Sequence, residues 1–184
     1  MIVIIVLLSL IGIWAVVVFN RFVRWKNLIK EGWSGIDVQL KRRHDLVPNL
    51  VRIVREYRGY EEQVLIDITL ARSECLAAAE PALQAGSENA LSRGLKSLLA
   101  VAENYPELKA DRQFLALQVN LVEIEDQIQL ARRYYNGTVR NYNTLVESFP
   151  GLIIAKTLGF HLALYFEIET ATERESINIE ANNV

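Results

Sequence analysis

One cysteine, two histidines, one methionine and four prolines in 184 residues leave little raw material for most kinds of chemistry. Cys75 stands alone, so no intrachain disulfide can staple the fold, and its plainest reading is a small buried apolar side chain. Neither a Glu-x-x-His pair nor an HExxH motif occurs, which removes di-iron bundle and metalloprotease chemistry; His44 next to Asp45 is too few ligands for a metal. No glycine-rich phosphate loop is present, and the cysteine and the histidines are not spaced to place a nucleophile beside a base. A basic excess is missing too. The formal charge is −2, and Arg21, Arg24 and Lys26 supply three positive charges at one end, so residues 27 to 184 carry −5, the wrong sign for a nucleic-acid surface. These absences imply no enzyme, no cofactor, no metal, no nucleic acid and no small-molecule substrate. No stretch alternates apolar and polar residues long enough to compete as a sheet, so the fold class is all-α.

What is present begins at once. Ile2 to Phe19 is apolar apart from Ser9 and Gly12, and eighteen residues of helix cover about 27 Å, close to a hydrocarbon core of roughly 30 Å. A signal peptide would carry a charged n-region, a shorter core and a small-residue cleavage site; here only Met1 precedes the run and Val-Val-Val-Phe ends it. Residues 1–26 therefore read as a transmembrane anchor with its juxtamembrane segment. Arg21, Arg24, Lys26 and Lys30 all follow the span, which by the positive-inside rule keeps the C-terminal domain cytoplasmic and the N-terminus outside. Phe22 and Trp25 extend the contact into the interface.

The prolines at 48, 81, 106 and 150 punctuate the rest. Phe22, Trp25, Ile29, Trp33, Ile36 and Leu40 recur every three or four residues, predicting a helix over 20–44 that continues out of the membrane. Asp45 then reads as an N-cap, with Pro48 in the first turn of a second helix ending near Ala79. Residues 80 to 87 read as a loop, and Leu91, Leu95, Leu98 and Ala102 as a third stripe. Phe114, Leu117, Leu121, Ile124, Ile128, Ala131, Tyr135, Thr138, Tyr142 and Leu145 form an unbroken seam in a fourth helix over 107–148. Short connections make such helices an elongated antiparallel up-and-down four-helix bundle over 27–149, returning the chain to the bilayer at Phe149. The apolar segment 150–166 then reads as a short helix against the lipid interface or capping the base, and the acidic residues 167–184 as a disordered tail.

The stretches FNRFVRWKNLIKEGWSGIDVQLKRRHDLVPNLV, AENYPELKADRQFLALQ, ARRYYNGTVRNYNTLVESFP and the closing LGF...YFE resemble the LemA family from Phe19 to about Glu167. That resemblance implies a bacterial inner-membrane protein with an N-terminal anchor, a cytoplasmic four-helix bundle and no established enzymatic activity; one branch of the family is associated with magnetosome membrane formation. The chain departs from the family's usual pattern in Phe19-Asn20 in place of Tyr-Asn, and in its ending SINIEANNV.

Two candidate surfaces follow. Lys41, Arg42 and Arg43 read as the end of the first helix at a distal tip, facing Glu103, Glu107 or Asp111, and open to a protein partner. Arg21, Phe22, Arg24, Trp25, Lys26, Leu152, Ile153, Lys156 and Phe160 read as membrane-interface residues. Glu123 and Asp126 flank the seam as solvated charges, while Trp33, Tyr134, Tyr135 and Tyr142 read as core or seam aromatics. The function expected is a membrane-anchored, non-enzymatic scaffold or adaptor that binds lipid and a homo-oligomeric or membrane-associated protein partner. The alternative is membrane remodelling by an interfacial helix at 151–166.

Overall fold

The structure is a computed structural model that describes residues 1–57, 62–77 and 81–166. Six helices follow one another: α1 (Ile2–Arg55), α2 (Glu62–Ala77), α3 (Pro81–Ala102), α4 (Pro106–Lys109), α5 (Arg112–Glu147) and α6 (Gly151–Leu158). No strand occurs among the described residues.

The expected break before Pro48 does not occur. α1 is one helix of 54 residues with Pro48 inside it, so Asp45 caps nothing and residues 47 to 55 belong to α1 rather than to a second helix. Proline has no amide hydrogen, which strips the carbonyl four residues earlier of its helical donor. That carbonyl belongs to His44, and Arg72 of α2 donates its Nε–H to it at 2.7 Å. A tertiary contact thus supplies what the sequence withholds. α1 ends at Arg55, and α2 is the shorter remainder of the predicted second helix. Residues 81 to 87, expected as loop, are the first two turns of α3, with Pro81 at the first helical position where its missing donor does no harm.

α1 and α5 form the long axis as an antiparallel pair. Tyr57 meets Asp111, Arg43 meets Glu125 and Trp33 meets Tyr135, so fourteen and then ten residues up one helix match the same steps down the other. At the base Phe22 packs edge-on against Tyr142, with ring centroids 6.1 Å apart. Residues 19–23 of α1 and 142–146 of α5 therefore lie side by side. Gly32 permits the approach: a Cβ there would stand 3.2 Å from the Tyr135 Cα. All ten seam positions of α5 are buried or half-buried, as their spacing requires, whereas Tyr134 is exposed.

The α2–α3 hairpin covers only the distal half, from the level of Arg43 and His44 outward. The main core is there, built from Leu40, Leu50, Ile68, Leu91, Leu98 and Ile128 among others. Toward the base the hairpin's place is taken by residues 160 to 166. They were expected to continue the short helix, but α6 stops at Leu158 and Gly159 takes the left-handed conformation at φ 71°, turning the chain back along the rod. The tail at 167–184 lies outside the described residues.

Candidate functional site

Residues 160 to 166 form an extended strap held by two repeats on α5. Asn143 donates through Nδ2 to the Ala163 carbonyl and accepts the Ala163 amide on Oδ1, both at 2.9 Å. Seven residues earlier Asn136 does the same to Phe166, at 3.1 and 2.9 Å. The preceding tyrosines repeat the pattern, with Tyr142 Oη donating to the His161 carbonyl and Tyr135 Oη to that of Leu164, each at 3.0 Å. Seven residues of helix advance about 10.5 Å and three of extended chain about 10 Å, so the Tyr-Asn pairs meet the strap in register. Burial pushes both phenols up, keeping them protonated as donors. Phe160 stacks on Phe22 with centroids 4.6 Å apart, and Phe166 closes the other end against Trp33 at 5.4 Å.

The base itself is apolar on the outside. Phe149 is 81 % exposed, and Ile153 and Leu158 of α6 are more than half exposed. They sit where Ser148 to Gly151 share a cleft with Trp14, Val18, Arg21 and Trp25 of α1. That level falls within the apolar run, of which only Val18 is buried between Ile2 and Phe19. α1 is the one described helix long and apolar enough to cross a membrane. Arg24, Lys26 and Lys156 are exposed, with Trp25 and Leu152 half-buried. Phe22 is not exposed at all: Tyr142 and Phe160 enclose it, so it locks the base instead of meeting lipid.

The basic run is not at the tip. α1 continues three turns beyond it, and the distal end is marked by Tyr57 donating to Asp111 at 3.0 Å. Lys41 and Arg42 are exposed at mid-rod, Arg42 donating to Gln39 at 3.2 Å, while Glu103 and Glu107 are exposed near the true tip. Arg43 is wholly buried and pairs with neither of them. Its guanidinium donates to Glu88 of α3, to Glu125 of α5 at 2.6 Å and to Ser92 at 2.7 Å. Burial alone would lower its pKa, yet the Glu125 and Glu88 carboxylates hold it above the ordinary arginine value. Glu88 also meets His44 Nε2 at 2.8 Å; burial would raise its pKa, but His44 and Arg43 together hold it below the usual carboxylate range.

Sequence spacing gave no sign that His44, Cys75 and Glu88 converge, with their donor atoms within 4.8 Å of one another and all buried. Imidazole, thiolate and carboxylate are zinc-binding types, so the fit matters. Glu88 is already shared by Arg43 and His44, and burial pushes the Cys75 thiol up to about 11, away from the thiolate a metal needs. The trio is chemically a self-satisfied polar cluster that ties α3 to α1.

Comparison with known proteins points to one family. The sequence model described as LemA family matches residues 32–180. Magnetosome protein MamQ 2 of Paramagnetospirillum magneticum is 25% identical over 179 residues, covering 83% of this chain and 66% of its own length. Protein LemA of Metamycoplasma hominis is 24% identical over 169 residues, covering 90% of this chain and 74% of its own. The chain thus spans just under two thirds of the magnetosome relatives it matches.

Proposed function

Because this chain belongs to the LemA family, we propose that it is a membrane-anchored, non-enzymatic helical rod that scaffolds other proteins or copies of itself. The observation that carries the reading is the continuity of α1, which passes from an exposed apolar run into the rod without a joint. A rigid mast of this kind, about 81 Å long at 1.5 Å per residue, holds its distal surface at a fixed height above lipid. The charge pattern after the run favours a cytoplasmic rod in a bacterial inner membrane, with the N-terminus outside. Nothing catalytic is assigned: the one thiol is held protonated and His44 is spent on Glu88. Amine crosslinking in native membranes, followed by sizing of the extracted protein, tests the scaffold. Crosslinked oligomers or a defined protein partner are expected; a strict monomer without partners contradicts it.

A second reading is favoured by the apolar base. Phe149, Ile153 and Leu158 present an exposed apolar surface beside the anchor, as a wedge that remodels membrane needs. Liposome binding by residues 27–184 separates the two, because a scaffold needs the anchor to bind and a wedge does not.

A further inference from the structure

We propose that the cleft between α1 and α5 at the base binds the headgroup of an anionic glycerophospholipid, with the lipid phosphate on Arg21. The inference rests on the reading that Ile2 to Phe19 lies in the bilayer. The cleft holds about 490 Å³ and is lined by Trp14, Val18, Arg21, Trp25, Thr144 and Ser148 among others. Val18 and Trp14 belong to the apolar run and Arg21 is the first charge after it, so the cleft straddles the boundary between hydrocarbon and headgroups.

Its chemistry is one-signed. Among the described residues Arg21 is the only charged one in its lining, no carboxylate lines the cleft, and Arg21 makes no ion pair or hydrogen bond. A guanidinium matches a phosphate through paired N–H donors. The Ser148 hydroxyl has no partner among the described residues and can donate beside it, while the Thr144 hydroxyl is spent on the Arg140 carbonyl at 2.8 Å and can only accept, as from a glycerol hydroxyl. Trp14 and Trp25, both half-buried, bracket the site at the depth where indoles settle in membranes. Below Arg21, Val18 and the exposed Phe149 offer an acyl chain an apolar wall.

The test is native mass spectrometry of the full-length protein in non-ionic detergent, offered equal amounts of phosphatidylglycerol and phosphatidylcholine with the same chains. One retained phosphatidylglycerol is expected, preferred about fivefold or more, as one cation at an anionic surface provides. Arg21→Gln should bring that ratio to near one, and Arg133→Gln, exposed on α5 and outside the cleft, should leave it. Because Arg21 is exposed, both variants should keep the parent's circular dichroism. An unchanged preference in Arg21→Gln, or none in the parent, overturns the proposal. So does displacement of the lipid by millimolar glycerol 3-phosphate, which would assign the site to a soluble phosphate ester. Alkaline extraction keeps the two readings apart: protein that stays in the membrane without a lipid preference loses the site alone, whereas protein that washes out loses the anchor as well.

Discussion

Asn143 closes a two-point hydrogen-bonded ring with the backbone of Ala163, its side-chain amide standing in for a neighbouring strand. Together with Asn136 it holds the strap to a part of the rod that α2 and α3 do not reach. Either Asn136→Ala or Asn143→Ala removes two hydrogen bonds and leaves strap backbone groups short of partners, which should cost about 1–3 kcal/mol in urea unfolding. Asn120→Ala, on an exposed part of the same helix, should change stability by less than about 0.5 kcal/mol. Equal effects at the three positions would contradict the role given to the strap.

The Arg43 cluster should respond asymmetrically. Arg43→Ala leaves Glu88 buried without its cation and should cost about 3–5 kcal/mol. Glu125→Gln should cost clearly less, because Glu125 is 34% exposed and water can replace the lost charge. Urea midpoints of the three proteins rank these directly.

Acid should weaken the fold through Glu88. Its folded pKa is lowered, so the stability it contributes is complete above the unfolded value near 4.5 and disappears as pH falls through the lower folded value. Asp111, lowered chiefly by the amide of Phe114, adds a loss in the same direction below about 3.8. Midpoints measured from pH 6 to pH 3 should fall, and Glu88→Gln should flatten the upper part of that decline while lowering the plateau.

Pro48 and Arg72 should be thermodynamically coupled. Arg72→Leu exposes the cost of the orphaned His44 carbonyl, about 1–2 kcal/mol, whereas Pro48→Ala restores that carbonyl's helical donor. In the Pro48→Ala background the same arginine substitution should therefore cost measurably less. Additive effects would place the arginine's contribution elsewhere.

Those two residues also show where the sequence is and is not legible. The α5 seam could be read because its spacing is local and its partner runs the whole length of the helix. The N-terminal run could be read as one long apolar helix for a similar reason, since length and composition alone mark it. Pro48 was misleading because its cost is offset by a residue 24 positions away. Arg43 was misplaced because partners in two other helices, Glu88 and Glu125, decide its burial, and no local pattern names them. The strap did leave a signal, the Tyr-Asn pairs at 135–136 and 142–143 followed by Gly159, but a heptad-spaced pair on a seam reads as packing until its acceptors are known.

In the reading proposed above, the base of the rod lies at lipid depth while the basic mid-rod segment stands in water. Nitroxide labels at Phe149→Cys, Ile153→Cys and Lys41→Cys, each in a Cys75→Ala background and reconstituted in liposomes, measure depth by relaxation with oxygen against a water-soluble nickel chelate. Oxygen-dominated relaxation is expected at 149 and 153 and chelate-dominated relaxation at 41. Chelate-dominated relaxation at 149 and 153 would contradict it, leaving the rod clear of the bilayer on its anchor alone.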